Sequence, residues 1–202
     1  MKDTIVFIDE GFLDKLNLLF GKGKRIKFNK LNFAEEVAKK QDLLCKRVFY
    51  YTAPPFQGTP PSEKERLLKE GYDKFINALS KDKKIIIREG RCQKIVNNLG
   101  KEEYNQKGVD TLLTIDLSHL NEDYPDIKKI ILISSDTDFC PAIKDIKDRN
   151  QIEVILYTYF DKKRKSKFSL SNELIDCCST YFSITKEDFI KCKLLDNKKD
   201  DN

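Results

Sequence analysis

An α/β protein with a mostly parallel sheet of about five strands and helices on both faces is the fold class this sequence predicts. Two observations lead there. Five apolar runs of strand length are continuous in β-branched and aromatic residues rather than alternating, as strands buried on both faces read. Segments with helical spacing separate them, which makes right-handed βαβ units the natural connection.

The strands expected in order are residues 4–8 (TIVFI), 47–52 (RVFYYT), 84–88 (KIIIR), 129–133 (KIILI) and 152–157 (IEVILY). After the first, Ala34, Val37, Ala38 and Leu44 share one helix face. After the second, the Pro-rich loop APPFQGTPPS (53–62) leads to a helix capped by Ser62. Leu67, Leu68, Tyr72, Phe75, Ile76 and Leu79 line its apolar face. A third helix is predicted over about 108–120, a fourth over 137–147 and a last one over 170–178, followed by an extra strand, TYFSI (180–184).

Hydrophobic residues make up 40% of the 202, which suits one domain, expected over 1–187 with a polar tail over 188–202. Charged residues reach 35%, yet the formal net charge is only +5, which permits a polyanionic partner without demanding one. No apolar run of about eighteen residues occurs, so no transmembrane helix is expected. The N-terminal MKDTIVFIDEGF has a short apolar run ending in acids, unlike a signal peptide, so a cytoplasmic location is expected. Cys45, Cys92, Cys140, Cys177, Cys178 and Cys192 show no CxxC spacing; reduced core or helix residues, not zinc ligands, are the expectation.

Chemistry concentrates in the acids. Open parallel sheets bind ligands outside the carboxyl ends of their strands, near the reversal of strand order. Asp9 directly follows the first strand; Asp136 and Asp138 follow the fourth. If those strands are neighbours, the three acids meet at one sheet edge. Asp110, in the first turn of the third helix, aims at the same crevice. Four carboxylates without a His or Cys cluster suit Mg²⁺ or Mn²⁺, which activate water for attack on a phosphodiester. Each acid alone also has a plain structural account. Asp136 and Thr137 can cap a helix, Asp9 can sit in a turn, and Asp110 complements a helix dipole. Convergence of three segments is what favours a site. Asp116 falls on the apolar face of its helix with Val109, Leu112, Leu113 and Leu120, which predicts burial and a supporting role.

FIDEGFL, YNQKGVDTLLTIDL and LISSDTDFCPAI, in this order and spacing, resemble the signature segments of the NYN/LabA-like family of PIN-type nuclease domains. FSLSNELIDCCSTYFSI looks like that family's closing segment, and the resemblance covers residues 4–185. It implies a Rossmann-like PIN fold, a divalent-metal pocket and cleavage of RNA, usually single-stranded. Carried over by position, the catalytic and metal-holding acids are Asp9, Asp110, Asp136 and Asp138, with Ser134 and Ser135 beside them. Two departures stand out. The first segment of the family usually reads Ile-Asp-x-x-Asn, whereas Phe12 holds the Asn position here, and Ser135 replaces the Gly of the common S-G-D segment. Loss of the Asn points to a weakened or altered pocket.

Phosphate contacts are sought at the same sheet edge. DKKRKSK (161–167), with Lys162, Lys163, Arg164 and Lys165, follows the fifth strand; a solvated basic loop is an equal reading. Arg88, Arg91 and Lys107 are further candidates, whereas Tyr50, Tyr51 and Phe56 read more readily as core than as base-stacking rings. His119, the single histidine, reads as a surface residue. The leading expectation is a Mg²⁺- or Mn²⁺-dependent endoribonuclease acting on single-stranded RNA, with no membrane partner and self-association left open. The alternative is an RNA- or protein-binding module that keeps the fold without cutting. A dinucleotide-binding domain fares worse, with IDEGFL in place of GxGxxG, and so does an aspartyl-phosphate phosphatase, with Gly11 two positions after Asp9.

Overall fold

The computed structural model describes residues 1–161, 168 and 171–194. The chain opens with β1 (Lys2–Asp9), α1 (Glu10–Phe20), α2 (Lys30–Lys39), β2 (Leu43–Thr52), α3 (Glu63–Leu79) and β3 (Ile85–Glu89). A hairpin of β4 (Arg91–Val96) and β5 (Glu102–Lys107) precedes α4 (Val109–Ser118) and the short α5 (Leu120–Asp123). After β6 (Lys129–Ile133), a 3-10 turn at Thr137–Phe139 runs into α6 (Cys140–Asn150). Last come β7 (Glu153–Thr158), α7 (Asn172–Cys177), β8 (Thr180–Ser183) and α8 (Lys186–Lys191).

Six parallel strands form one sheet in the order β3-β2-β1-β6-β7-β8. The chain builds outward from β1 in one direction, then returns beside it and builds outward in the other. Strand order therefore reverses between β1 and β6, where Ile5 pairs with Ile130 and Ile8 with Ile133. Alternation within each strand feeds two cores. Ile5, Phe7, Leu132 and Leu156 pack with α4 and α6 on one face, and Val6, Ile8, Ile131 and Ile133 pack with α1, α2 and α8 on the other. Burial on both faces is why these strands read as unbroken apolar runs.

Several boundaries differ from expectation. α2 ends at Lys39, Asp42 takes a positive φ of 54°, and β2 begins at Leu43. Leu44 therefore lies in β2, 53% exposed, rather than beside Ala34, Val37 and Ala38 on the buried helix face. α1 is an addition: Asp9 closes β1 and also caps this helix by accepting from the Phe12 N–H at 3.1 Å. The β4–β5 hairpin is a second addition, one whose β5 residues are all exposed. The expected polar tail starting at 188 is corrected. Phe189 is fully buried, Cys192 nearly so, and Asp188 is ion-paired with Lys40, so α8 belongs to the core. α3 has the expected Ser62 cap, completed by Glu65 as a capping box, but it buries none of its residues. All six cysteines are free, and five of them are buried. Among the described residues, no helix is long and apolar enough to cross a membrane.

Candidate active site

β1 ends at Asp9 and β6 leads into Ser134, which is fully buried. The Ser134 hydroxyl donates to Asp9 Oδ2 at 2.9 Å and accepts from the Asp136 N–H at 3.2 Å. One buried hydroxyl thus ties the ends of the two central strands together. Asp136 Oδ1 accepts from the Asp138 N–H at 2.9 Å, so Asp136 does cap the following turn while standing at the site. Asp110 arrives from the other direction. Gly108, at φ +80°, turns the chain out of β5 so that α4 begins with its first turn facing β1 and β6.

Asp9, Asp110, Ser135, Asp136 and Thr137 line one end of a cleft of about 1810 Å³, together with Lys15 of α1. Asp138 is exposed and does not line it, but its charge reaches Asp110. Burial is the main cause that pushes the Asp9 carboxyl up to about 6. Hydrogen bonds from Phe12 and Ser134 oppose the shift, Asp110 adds to it, and Lys15 offsets part. Asp110 is likewise raised, first by desolvation and then by Asp136 and Asp138. Asp110 therefore stands within electrostatic reach of each of the other three acids.

Among the described residues, no group of three or more His, Cys, Asp or Glu side chains is arranged to hold a metal ion as it stands. The donor chemistry still fits a hard divalent cation. The donors offered are oxygens, from carboxylates, hydroxyls and the Gln106 amide, and neighbouring carboxylates add to the raised pKa of Asp9 and Asp110, a conflict that a bound cation relieves.

The other candidates divide. Ser135 and Lys107 line the cleft. Arg88 does not: its Nε and Nη2 donate to Asp116 at 2.8 and 2.6 Å, and the Tyr51 hydroxyl donates to the same carboxylate at 2.8 Å. Asp116 is thus the acceptor of a supporting network, and Arg88 is its counter-ion rather than a residue of the cleft. Arg91 is exposed opposite Lys107 in the hairpin and also stays outside the cleft. Lys162, Lys163, Arg164 and Lys165 lie outside the described residues. Tyr50 and Tyr51 are fully buried, as core rings are. Phe12 is 4% exposed and meets Phe168 edge-on at 6.0 Å, so the cleft wall is apolar at this position.

Sequence reasoning passed over Lys15, Tyr72, Phe75, Tyr104 and Gln106, all of which line the cleft. For Lys15 a signal existed: it lies one helical turn beyond Gly11, which stands beside the Asp9 carboxylate, once α1 is recognised. Tyr104 and Gln106 alternate in β5 and point the same way once the hairpin is recognised.

An open parallel sheet with acids gathered outside the carboxyl ends of β1 and β6, at the reversal of strand order, defines a Rossmann-like α/β protein with an acidic cleft. The NYN domain family matches residues 6–185, and the chain belongs to that family, within the PIN-like nuclease superfamily. A crystal structure of a protein of unknown function from Vibrio parahaemolyticus is similar in fold. The TM-score is 0.51 at 19% identity, covering 93% of this chain and 95% of that one. Comparison with curated proteins returned no significant match.

Proposed function

We propose that the protein is a metal-dependent endoribonuclease that hydrolyses phosphodiester bonds of single-stranded RNA. The observation that carries this reading is the meeting of Asp9, Asp110 and Asp136, from three separate segments, at one end of a large cleft. Asp9, Asp110 and Asp136, with Asp138 at the rim, would hold Mg²⁺ or Mn²⁺. Such an ion, when bound, lowers the pKa of water and stabilises negative charge on the leaving oxygen. The chain's own groups supply position and charge. Ser134 orients Asp9 and the Asp136 loop together, so the two strand ends act as one unit. Lys15 faces the same acids and offers a cation to a phosphate oxygen.

Incubation of an unstructured, end-labelled RNA with the protein and Mn²⁺ tests this. The expected result is internal cleavage that stops with EDTA and falls at least about a hundred-fold in Asp136→Asn, the size of loss typical of removing one electrostatic contributor to catalysis. Folded wild-type protein that cuts no RNA under any of these conditions ends the proposal.

Phe12 supports a second reading, a PIN-like module that binds RNA or protein and cuts weakly or not at all. Packed against Phe168, it presents an apolar edge where the family's segment has an amide. The same RNA retained on a filter without being cut distinguishes this reading.

A further inference from the structure

α3 has the sequence of an amphipathic helix, yet none of its residues is buried. Leu68 is 54% exposed and Phe75 38%, and with Tyr72 they line the cleft instead of the core. Leu79 at its C-terminal end packs against the core, and Tyr72 also bonds Thr52. The Tyr72 hydroxyl donates to Glu89 at 2.7 Å, the Gln57 amide donates to the Glu65 carbonyl at 2.7 Å, and the Phe75 ring lies 6.0 Å from Tyr50. An apolar face left open on a helix of this length implies an occupant.

The β4–β5 hairpin continues the same wall. Tyr104 is 52% exposed, lines the cleft and lies 6.0 Å from the Phe56 ring. Gln106 reaches the acids: its Oε1 lies 3.3 Å, and Asp9 Oδ1 3.2 Å, from the point a Cβ on Gly11 would occupy. The base of the hairpin is pinned to the sheet. Gly90 donates to the Thr52 carbonyl at 2.8 Å and sits so close to the chain that a Cβ there would be 2.5 Å from the Lys107 carbonyl oxygen. Cations occupy other parts of the lining. Lys15 and Lys27 stand on and after α1, and Lys107 stands at the foot of β5.

We propose that α3 and the β4–β5 hairpin form a base-stacking wall by which the cleft selects single-stranded nucleic acid. Phe75 and Tyr104 take the bases, while Lys15, Lys27 and Lys107 take the phosphates and lead the strand to the acids. The inference rests on the nucleic-acid reading above and adds the surface that chooses the strand. A duplex hides its base faces and has nothing to lay on this wall, whereas every unpaired base has a face to stack. An apolar peptide would cover Leu68 and Phe75 but leave the three lysines without partners.

The test is anisotropy of a labelled oligouridine of about a dozen nucleotides and of an abasic sugar-phosphate oligomer of equal length, on the full chain in EDTA. Wild type binds the base-bearing strand at least about ten-fold more tightly, and Tyr104→Ala and Phe75→Ala each remove about ten-fold of that affinity without changing binding of the abasic strand. Lys27→Ala weakens both strands alike. Tyr104 is exposed and stands on the hairpin, so an unchanged melting curve is expected for its variant, while the Phe75 variant, which loses a ring contact with Tyr50, is compared at equal folded fraction. Equal wild-type affinity for the two oligomers, binding of neither, or a uniform loss in the aromatic variants overturns the wall. Cleavage with Mn²⁺ is scored separately. RNA cut without base-dependent binding refutes the wall and leaves the nuclease standing; base-dependent binding without cleavage does the reverse.

Discussion

Asp9→Asn in metal-free protein isolates what the acidic site costs the fold. The carboxyl moves from 3.8 to about 6 on folding, chiefly because it is buried. At 1.36 kcal/mol for each pH unit, ionised Asp9 opposes folding by about 3 kcal/mol once pH exceeds the folded value. The native state holds the proton more tightly than the unfolded chain between those two values. Stability from this group therefore falls as pH rises from 3.8 to about 6, and no penalty remains below 3.8. Asparagine keeps one oxygen to accept from the Phe12 N–H, but its Nδ2 only donates, so the Ser134 hydroxyl must turn to accept from it, and the lost charge-assisted bond costs about 1 kcal/mol. The net expectation at pH 8 is a gain of about 1–2 kcal/mol, or a melting temperature about 2–8 °C higher for a chain of this size. Urea denaturation in EDTA at pH 4 and pH 8 measures it. The gain appears at pH 8 and shrinks toward zero at pH 4. An Asn variant that is no more stable at pH 8, or equally stabilised at both pH values, refutes the claim that the site holds an ionised carboxylate against its surroundings.

Other consequences follow from neighbouring groups. Arg88→Ala leaves the Asp116 carboxylate without its bidentate partner and lowers stability by about 1–3 kcal/mol, with RNA affinity unchanged; paired melting and binding curves check this. Gly90→Ala forces a methyl against the Lys107 carbonyl and the Val109 side chain, and costs about 1–3 kcal/mol. Limited proteolysis of that variant is expected to cut the hairpin first. Thiol titration of the native protein gives one fast-reacting cysteine, Cys92, and six after denaturation, because the other five are buried.

How far the sequence was legible depends on where burial writes a pattern. β1, β2, β3, β6 and β7 are flanked by cores on both faces, so TIVFI, KIILI and their kin could be read directly. The neighbouring placement of β1 and β6, and with it the company of Asp9 and Asp136, followed from strand order in doubly wound sheets. The hairpin left no such trace, because every β5 residue faces solvent and EEYNQK shows no apolar period. Its signal was NNLG, where Asn97 accepts the turn bonds and Gly100 takes φ +72°. α1 was hidden because Asp9 ends the strand and starts the helix within one residue. The partner of Arg88 was hidden for a different reason. A strand-end arginine looks the same whether its partner is a phosphate or a buried carboxylate, and only the packing of α4 brings Asp116 to it.

Titration calorimetry with Mn²⁺ on wild type, Asp9→Asn and Asp110→Asn addresses the central claim most directly, because it asks the gathered acids to hold the ion they are proposed to hold. Saturable binding to wild type, lost or weakened at least about ten-fold in either variant, is the predicted result. Wild-type protein that stays folded and takes up no Mn²⁺, or variants that bind it as tightly as wild type, would contradict the account.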